Sequence, residues 1–222
     1  LPDFLFINQQ NGKFKNEAKE RLRHTSHYSM GLDIADFNND LFADICVLDM
    51  SNKDYVKSKT NMGTMNVPTF WDNVAKGYNY QYMYNTLQLN LGSGYFSEIA
   101  HLAGIASTDW SWAPLLADFD QDGLKDLFVT NGYYRDVRDQ DFTKLLKEYM
   151  ATNPVSFDCM KMLALIPQSR ELNYFFRNTD SLKFEDVSTE WGVTAGTNSH
   201  GAAYGDLDND GDLDLVINNF NE

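Results

Sequence analysis

The sequence predicts an all-β fold of repeated four-stranded antiparallel units, on three observations. An acidic nine-residue pattern, Asp-x-(Asp/Asn)-x-Asp-x-x-x-Asp, occurs three times, at 36–44, 118–126 and 206–214. Each copy lies at a fixed distance from an alternating run that ends in Asn. Each is followed at once by an apolar, β-rich run: Ile45–Leu48, Leu127–Thr130 and Leu215–Asn218.

The spacing can be counted. The alternating runs Phe4–Asn8, Thr86–Asn90 and Tyr174–Asn178 are followed six residues later by Phe14, Phe96 and Phe184. The first loop aspartates, Asp36, Asp118 and Asp206, come 22 residues after those phenylalanines in every copy. Ser29, Ser111 and Ser199 stand seven residues before them, and Gly31, Ala113 and Gly201 five before. Each unit therefore reads as strand, turn, strand, variable link, strand, acidic loop, strand. Four short antiparallel strands per repeat predict β-propeller blades.

Two segments have no counterpart in a minimal blade, about 51–83 and 133–171. The first is rich in Met, Tyr and Asn, as in Asn79–Tyr84, and has no clean period. The second contains a helical pattern over 141–150, with Phe142, Leu145, Leu146, Tyr149 and Met150 on one face. Asn153-Pro154 is expected to end it, and a second short apolar helix is expected from Met160 to Ile166.

Composition excludes several classes. A chain of 222 residues, 43% hydrophobic and 14% aromatic, is ample for a packed core. A formal charge of −14 argues against nucleic-acid partners, whose affinity rests on clustered Lys and Arg. Two cysteines, Cys46 and Cys159, make no disulfide framework, and Cys46 in its apolar run reads as a buried, inert thiol. No apolar stretch approaches the ~18–20 residues of a transmembrane segment. The opening Leu-Pro-Asp-Phe lacks the layout of a signal peptide, so the chain is expected to be a portion of something longer.

So many carboxylates in one turn repel unless a hard cation neutralises them, and oxygen-only ligands on a flexible loop suit calcium. Side chains at positions 1, 3, 5 and 9 converge: Asp36, Asn38, Asp40 and Asp44; Asp118, Asp120, Asp122 and Asp126; Asp206, Asp208, Asp210 and Asp214. Position 7, held by Phe42, Leu124 and Asp212, is expected to complete the shell through its carbonyl. Gly123 and Gly211 at position 6 supply positive φ. Leu41 stands there in the first loop, at a cost of about 1–2 kcal/mol. Up to three Ca2+ ions are expected, the first site being weakest because of Leu41 and the neutral Asn38. An EF-hand would need a Glu at position 12, where Val47, Val129 and Ile217 stand instead.

Ser199–Asn219, with the segment from Asp109 through Gly123, resembles the FG-GAP/VCBS-repeat proteins, whose blades are those of the integrin α-subunit propeller. The likeness extends to the insertions and to a bacterial surface subgroup. It implies that the acidic loop joins the first two strands of a blade, and that the chain is an arc of a propeller of about seven blades. On that implication the chain opens with the outer half of one blade and ends with the inner half of another. Two whole blades lie between, Ala35 to about Ala100 and Ala117 to about Ser188.

The resulting functional expectation is a calcium-stabilised, non-enzymatic interaction module of an exported bacterial protein, extracellular or at the cell surface in association with the outer membrane. Calcium loops saturate where free calcium is plentiful. The insertions would bind the partner, a protein complex at the cell envelope or a glycan. The alternatives are a polysaccharide-acting enzyme and a lectin-like propeller. His24, His27, His101 and His200 occupy unrelated repeat positions with no nucleophile motif beside them. Trp71, Tyr78, Tyr80, Tyr82, Trp110 and Trp112 could stack on sugars, although Trp110 and Trp112 are better placed to pack between blades.

Overall fold

Alternating apolar residues punctuated by Gly, Asn and Asp fold into hairpins, and the first pairs β1 (Phe6–Asn8) with β2 (Phe14–Asn16). These and the elements below belong to a computed structural model that describes residues 2–61, 66–152 and 159–220. A short helix α1 (Ala18–Arg21) and strand β3 (His24–Ser26) lead into the first whole blade. Its inner pair is β4 (Leu32–Ala35) and β5 (Asp44–Val47), joined by the first acidic loop.

The 51–83 insertion carries more order than its sequence suggests. After β6 (Met50–Ser51) come helices α2 (Tyr55–Thr60) and α3 (Val67–Ala75), then β7 (Tyr80–Tyr82), which pairs in parallel with β3. Both helices start at side-chain caps: Asp54 accepts from Lys57 N–H at 2.8 Å and Asn66 from Thr69 N–H at 3.3 Å. Strands β8 (Thr86–Asn90) and β9 (Phe96–Glu98) complete the blade in the order β4-β5-β8-β9.

Helix α4 (Ala100–Ala103) then leads to the second blade, β10 (Asp109–Ala117) and β11 (Asp126–Asn131). Its insertion holds the two expected helices, α5 (Gln140–Thr152) and α6 (Cys159–Leu165). The expected stop at Asn153-Pro154 lies outside the described residues. Strands β12 (Tyr174–Asn178) and β13 (Phe184–Asp186) close the sheet, to whose inner edge β6 adds, in the order β13-β12-β11-β10-β6. The last pair is β14 (Ser199–Gly205) with β15 (Asp214–Asn219). The architecture is thus a partial β-propeller with half-blades at both ends. The blade limits move, because Ala35 and Ala117 end inner strands rather than begin blades. The whole blades run from Leu32 to Glu98 and from Asp109 to Asp186.

The core lies between the two whole blades, where Phe37, Leu48, Leu87, Ile105, Leu127 and Phe176 are buried together. Apolar burial of this kind is the main stabilising term, at roughly 25 cal/mol per Å². Phe37, from the first acidic loop, meets Phe184 of the second blade at 5.7 Å between ring centres. Close approach is enforced at Gly31, where a Cβ would lie 1.9 Å from the Trp112 carbonyl oxygen. Nearby, Leu116 N–H donates to Asp33 Oδ2 at 2.7 Å across the blades. Trp112 packs between blades as expected, its ring 4.9 Å from that of His200. Cys46 is fully buried, and burial pushes its thiol up to about 12. Among the described residues no helix is long and apolar enough to cross a membrane.

Candidate metal centres

Each acidic loop turns on two residues in the left-handed region. Position 6 holds Leu41 (φ 71°), Gly123 (φ 92°) and Gly211 (φ 97°), as the glycine pattern predicts. Position 4 also turns left-handed, at Asn39, Gln121 and Asn209, which the sequence did not signal. These residues have a second role. The Asn39 Nδ2 donates to the Gly123 carbonyl at 3.0 Å, and the Gln121 Nε2 to the Gly211 carbonyl at 3.3 Å. Consecutive loops are thereby stitched together along one face of the arc.

The carboxylate at position 1 organises the turn. Asp36 accepts from the N–H groups of Asp40 and Leu41, Asp118 from those of Asp122 and Gly123, and Asp206 from those of Asn209 and Gly211. The position-5 carboxylates Asp40, Asp122 and Asp210 accept from the N–H of Phe42, Leu124 and Asp212. Position 7 thus enters the loop through its backbone.

Position 9 closes the loop onto the blade. Asp44 and Asp126 are fully buried. Asp44 accepts from Phe37 N–H at 3.3 Å and Asn90 N–H at 2.8 Å. Asp126 accepts from Phe119 N–H at 3.0 Å and Asn178 N–H at 2.9 Å. The Asn side chain answers: Asn90 Nδ2 donates to the Ala43 carbonyl, and Asn178 Nδ2 to the Lys125 and Phe37 carbonyls. The Asn that ends the second and third alternating runs, Asn90 or Asn178, is therefore half of a lock on the acidic loop. Burial pushes the Asp44 carboxyl upward and that of Asp126 up to about 6, opposed by these amide donors and reinforced by the neighbouring aspartates.

Two loops gather three carboxylates each. In the second, oxygens of Asp118, Asp120 and Asp126 lie within 4.8 Å of one another, and in the third those of Asp206, Asp208 and Asp210 do. Asp214 is half-buried and stands outside the third set, as Asp122 stands outside the second. The exposed Asp212 has its carboxyl held up by a hydrogen bond to the Asp210 carboxylate, while the Asp212 N–H pulls Asp210 down. The first loop gathers no such set of acids, because its third position is Asn38, whose Nδ2 donates to Asp40 Oδ2 at 2.9 Å. The Asn38 Oδ1 is sealed from solvent without a hydrogen-bond partner.

An all-oxygen set of clustered aspartates suits a hard cation, and the orphaned Asn38 oxygen is what a ligand for such a cation would leave. The residues fit. The EF-hand alternative fails, since Val47, Val129 and Ile217 lie in β5, β11 and β15.

The opposite ends of β5 and β11 carry the insertions, which are bound to each other. Lys57 meets Glu171 at 2.5 Å, Asn61 Nδ2 donates to Asp136 Oδ2 at 3.2 Å, and Arg138 donates to the Asn61 carbonyl. Phe70, Trp71, Tyr80 and Tyr82 form a ring cluster, with Trp71 and Tyr80 exposed. Trp110 lies 4.5 Å from Tyr133 and beneath Arg138, which leaves it poorly placed to stack on a sugar. His24 bonds Glu98 and the Tyr84 hydroxyl, and His200 lies between Trp112 and Phe220.

Comparison with known families places this geometry. Residues 74–129 and 163–217, together half of the chain, match the model of the FG-GAP-like repeat. Each matched segment runs from the outer strands of one blade through the acidic loop of the next, which is the counted repeat frame. A search of curated proteins found no match.

Proposed function

Given that the chain belongs to the FG-GAP-like repeat family, we propose that it is a calcium-stabilised interaction module of an exported bacterial protein. The observation that carries this reading is the convergence of three carboxylates in the second and third loops, the second of which also locks an inner strand to an outer one. Asp118, Asp120, Asp122 and Asp126 would hold one ion, and Asp206, Asp208, Asp210 and Asp214 another. Asp36, Asn38, Asp40 and Asp44 would hold a third, more weakly. Bound calcium would supply charge neutralisation, relieving the repulsion within each loop.

The joined insertions present the recognition surface, on the edge of the blades away from the ions. A protein of the cell envelope is the first reading for the partner. A glycan is the second, favoured by the exposed Trp71 and Tyr80. Recognition is proposed over catalysis because His24 and His200 are engaged in packing and local hydrogen bonds.

Thermal unfolding with calcium and with a chelator tests the ion. A fall in Tm on chelation, reversed by calcium but not by magnesium, is expected, and an unchanged Tm refutes it. Pull-down from the cell envelope and a glycan array, each with Trp71→Ala and Tyr80→Ala variants, separate the two partners. Binding untouched by either substitution would move recognition off this surface.

A further inference from the structure

The link that follows each outer hairpin can be counted from the repeat phenylalanine. Seven, nine and ten residues beyond Phe96 stand Ala103, Ile105 and Ala106, all buried in the core. The same places after Phe184 hold Trp191, Val193 and Thr194, and those after Phe14 hold Arg21, Arg23 and His24. Two guanidinium groups and an imidazole thus stand where the next copy packs its core. They line a cleft of about 550 Å³, within the ~300–1,000 Å³ of small-ligand pockets. Glu20, Arg21, Arg23 and His24 come from α1 and the start of β3, and Tyr95 and Ser97 from the β8–β9 hairpin.

The charges in this cleft divide into those already used and those not. Arg21 is used: its Nε meets Glu17 at 2.7 Å, and its Nη1 donates to the Gly94 carbonyl at 2.9 Å, clamping the hairpin turn onto α1. Glu98 is used as well, accepting from the N–H groups of Leu87 and Ala100 and bonding His24 Nε2 at 3.3 Å. The same Nε2 meets the Tyr84 hydroxyl at 2.8 Å, which fixes the imidazole and leaves its Nδ1 without a partner among the described residues. Arg23 and Glu20 are both exposed, and neither side chain has a partner among the described residues. Tyr95, 59% exposed, adds an aromatic ring to the same cleft.

We infer that this cleft binds a carboxylate-bearing sugar, a uronic acid unit of an acidic polysaccharide. The Arg23 guanidinium is a planar fork that matches a carboxylate with two hydrogen bonds. Glu20 only accepts, so it suits sugar hydroxyls, and Ser97 both donates and accepts. The Tyr95 ring suits the apolar face of a pyranose. The combination selects among ligands. A simple anion would satisfy Arg23 and be repelled by Glu20, and a neutral sugar would leave Arg23 unmet. A sugar acid answers both, because it carries a carboxylate and hydroxyl donors on one ring. None of these residues belongs to the Trp71 and Tyr80 surface, so this inference stands apart from recognition by the insertions.

Calorimetric titration of the chain with a short glucuronate oligomer, and with the matching glucose oligomer, tests this. Saturable binding of the glucuronate oligomer is expected, and at least about tenfold weaker binding of the glucose oligomer. Arg23→Ala should weaken glucuronate binding by a similar factor and Tyr95→Ala severalfold, both at unchanged Tm, since neither side chain is buried. Lys13→Ala removes an exposed positive charge outside the cleft and should leave binding as it was. No saturable binding, equal binding of the two oligomers, or binding indifferent to Arg23→Ala would each overturn the inference. An aspartate-rich peptide that competes as well as the oligomer would overturn the choice of a sugar. Binding lost in Trp71→Ala and kept in Arg23→Ala would put the sugar on the insertions instead.

Discussion

The acidic loops at 36–44 and 118–126 have the same backbone and different side chains at positions 3 and 6. Both turn left-handed at positions 4 and 6, both bury the ninth aspartate, and both present its carboxylate to two backbone N–H groups. Yet only the second brings three carboxylates together; where it has Asp120 and Gly123, the first has Asn38 and Leu41. The comparison teaches that the loop's shape is held by hydrogen bonds to the blade and does not need three gathered carboxylates. Holding the loop's shape and gathering carboxylates use overlapping residues and are separable.

The largest expected effect breaks the shared part. Asp126→Ala would strand the buried N–H of Asn178 and the part-buried N–H of Phe119, and should destabilise by about 2–4 kcal/mol. Asp122→Ala, in an exposed part of the same loop, should change urea unfolding far less in calcium-free buffer. Equal losses would mean that the lock is not what holds the loop. Next comes Gly31→Ala, whose Cβ collides with a backbone oxygen and should cost about 3 kcal/mol. A Cβ at Gly211 meets open space, so Gly211→Ala should show only the strain of positive φ, about 1 kcal/mol.

Calorimetric titration with calcium sharpens the part that differs. Asn38→Asp should strengthen the weakest site about tenfold, roughly 1.4 kcal/mol, and Asp120→Asn should weaken the second by a similar factor. No change in either would remove position 3 from the ligand set. The smallest effect is Leu41→Gly. It relieves a non-glycine φ of 71° and should stabilise the apo chain by about 1 kcal/mol, read as a rise in urea midpoint. A loss would show that the exposed Leu41 side chain contributes more than its backbone strain costs.

Much of this was legible along the chain because it depends on neighbours a few residues apart. Gly123 and Gly211 announce the left-handed turn at position 6, and Phe142, Leu145, Leu146 and Tyr149 announce α5. Helices α2 and α3 have no clean period to announce them, although Asp54 and Asn66-x-Pro68 are cap signals. They are short, α2 spanning six residues and α3 nine, and α3 packs on β7 without a fully buried residue. Asn90 and Asn178 were visible as strand ends but not as partners of Asp44 and Asp126, which are about fifty residues away in sequence.

The sequence by itself determined the repeat, the strand order within a blade, the acidic loops and the departure of the first from their pattern at Asn38 and Leu41. These follow from alternation, turn torsions and charge, which act over a few residues. Only the tertiary structure decided which residues lock the loops to the outer strands and how Asn39 and Gln121 stitch one loop to the next. It also decided that the two insertions join. Those are contacts between blades, where burial and hydrogen-bond satisfaction are settled by packing that no local pattern encodes.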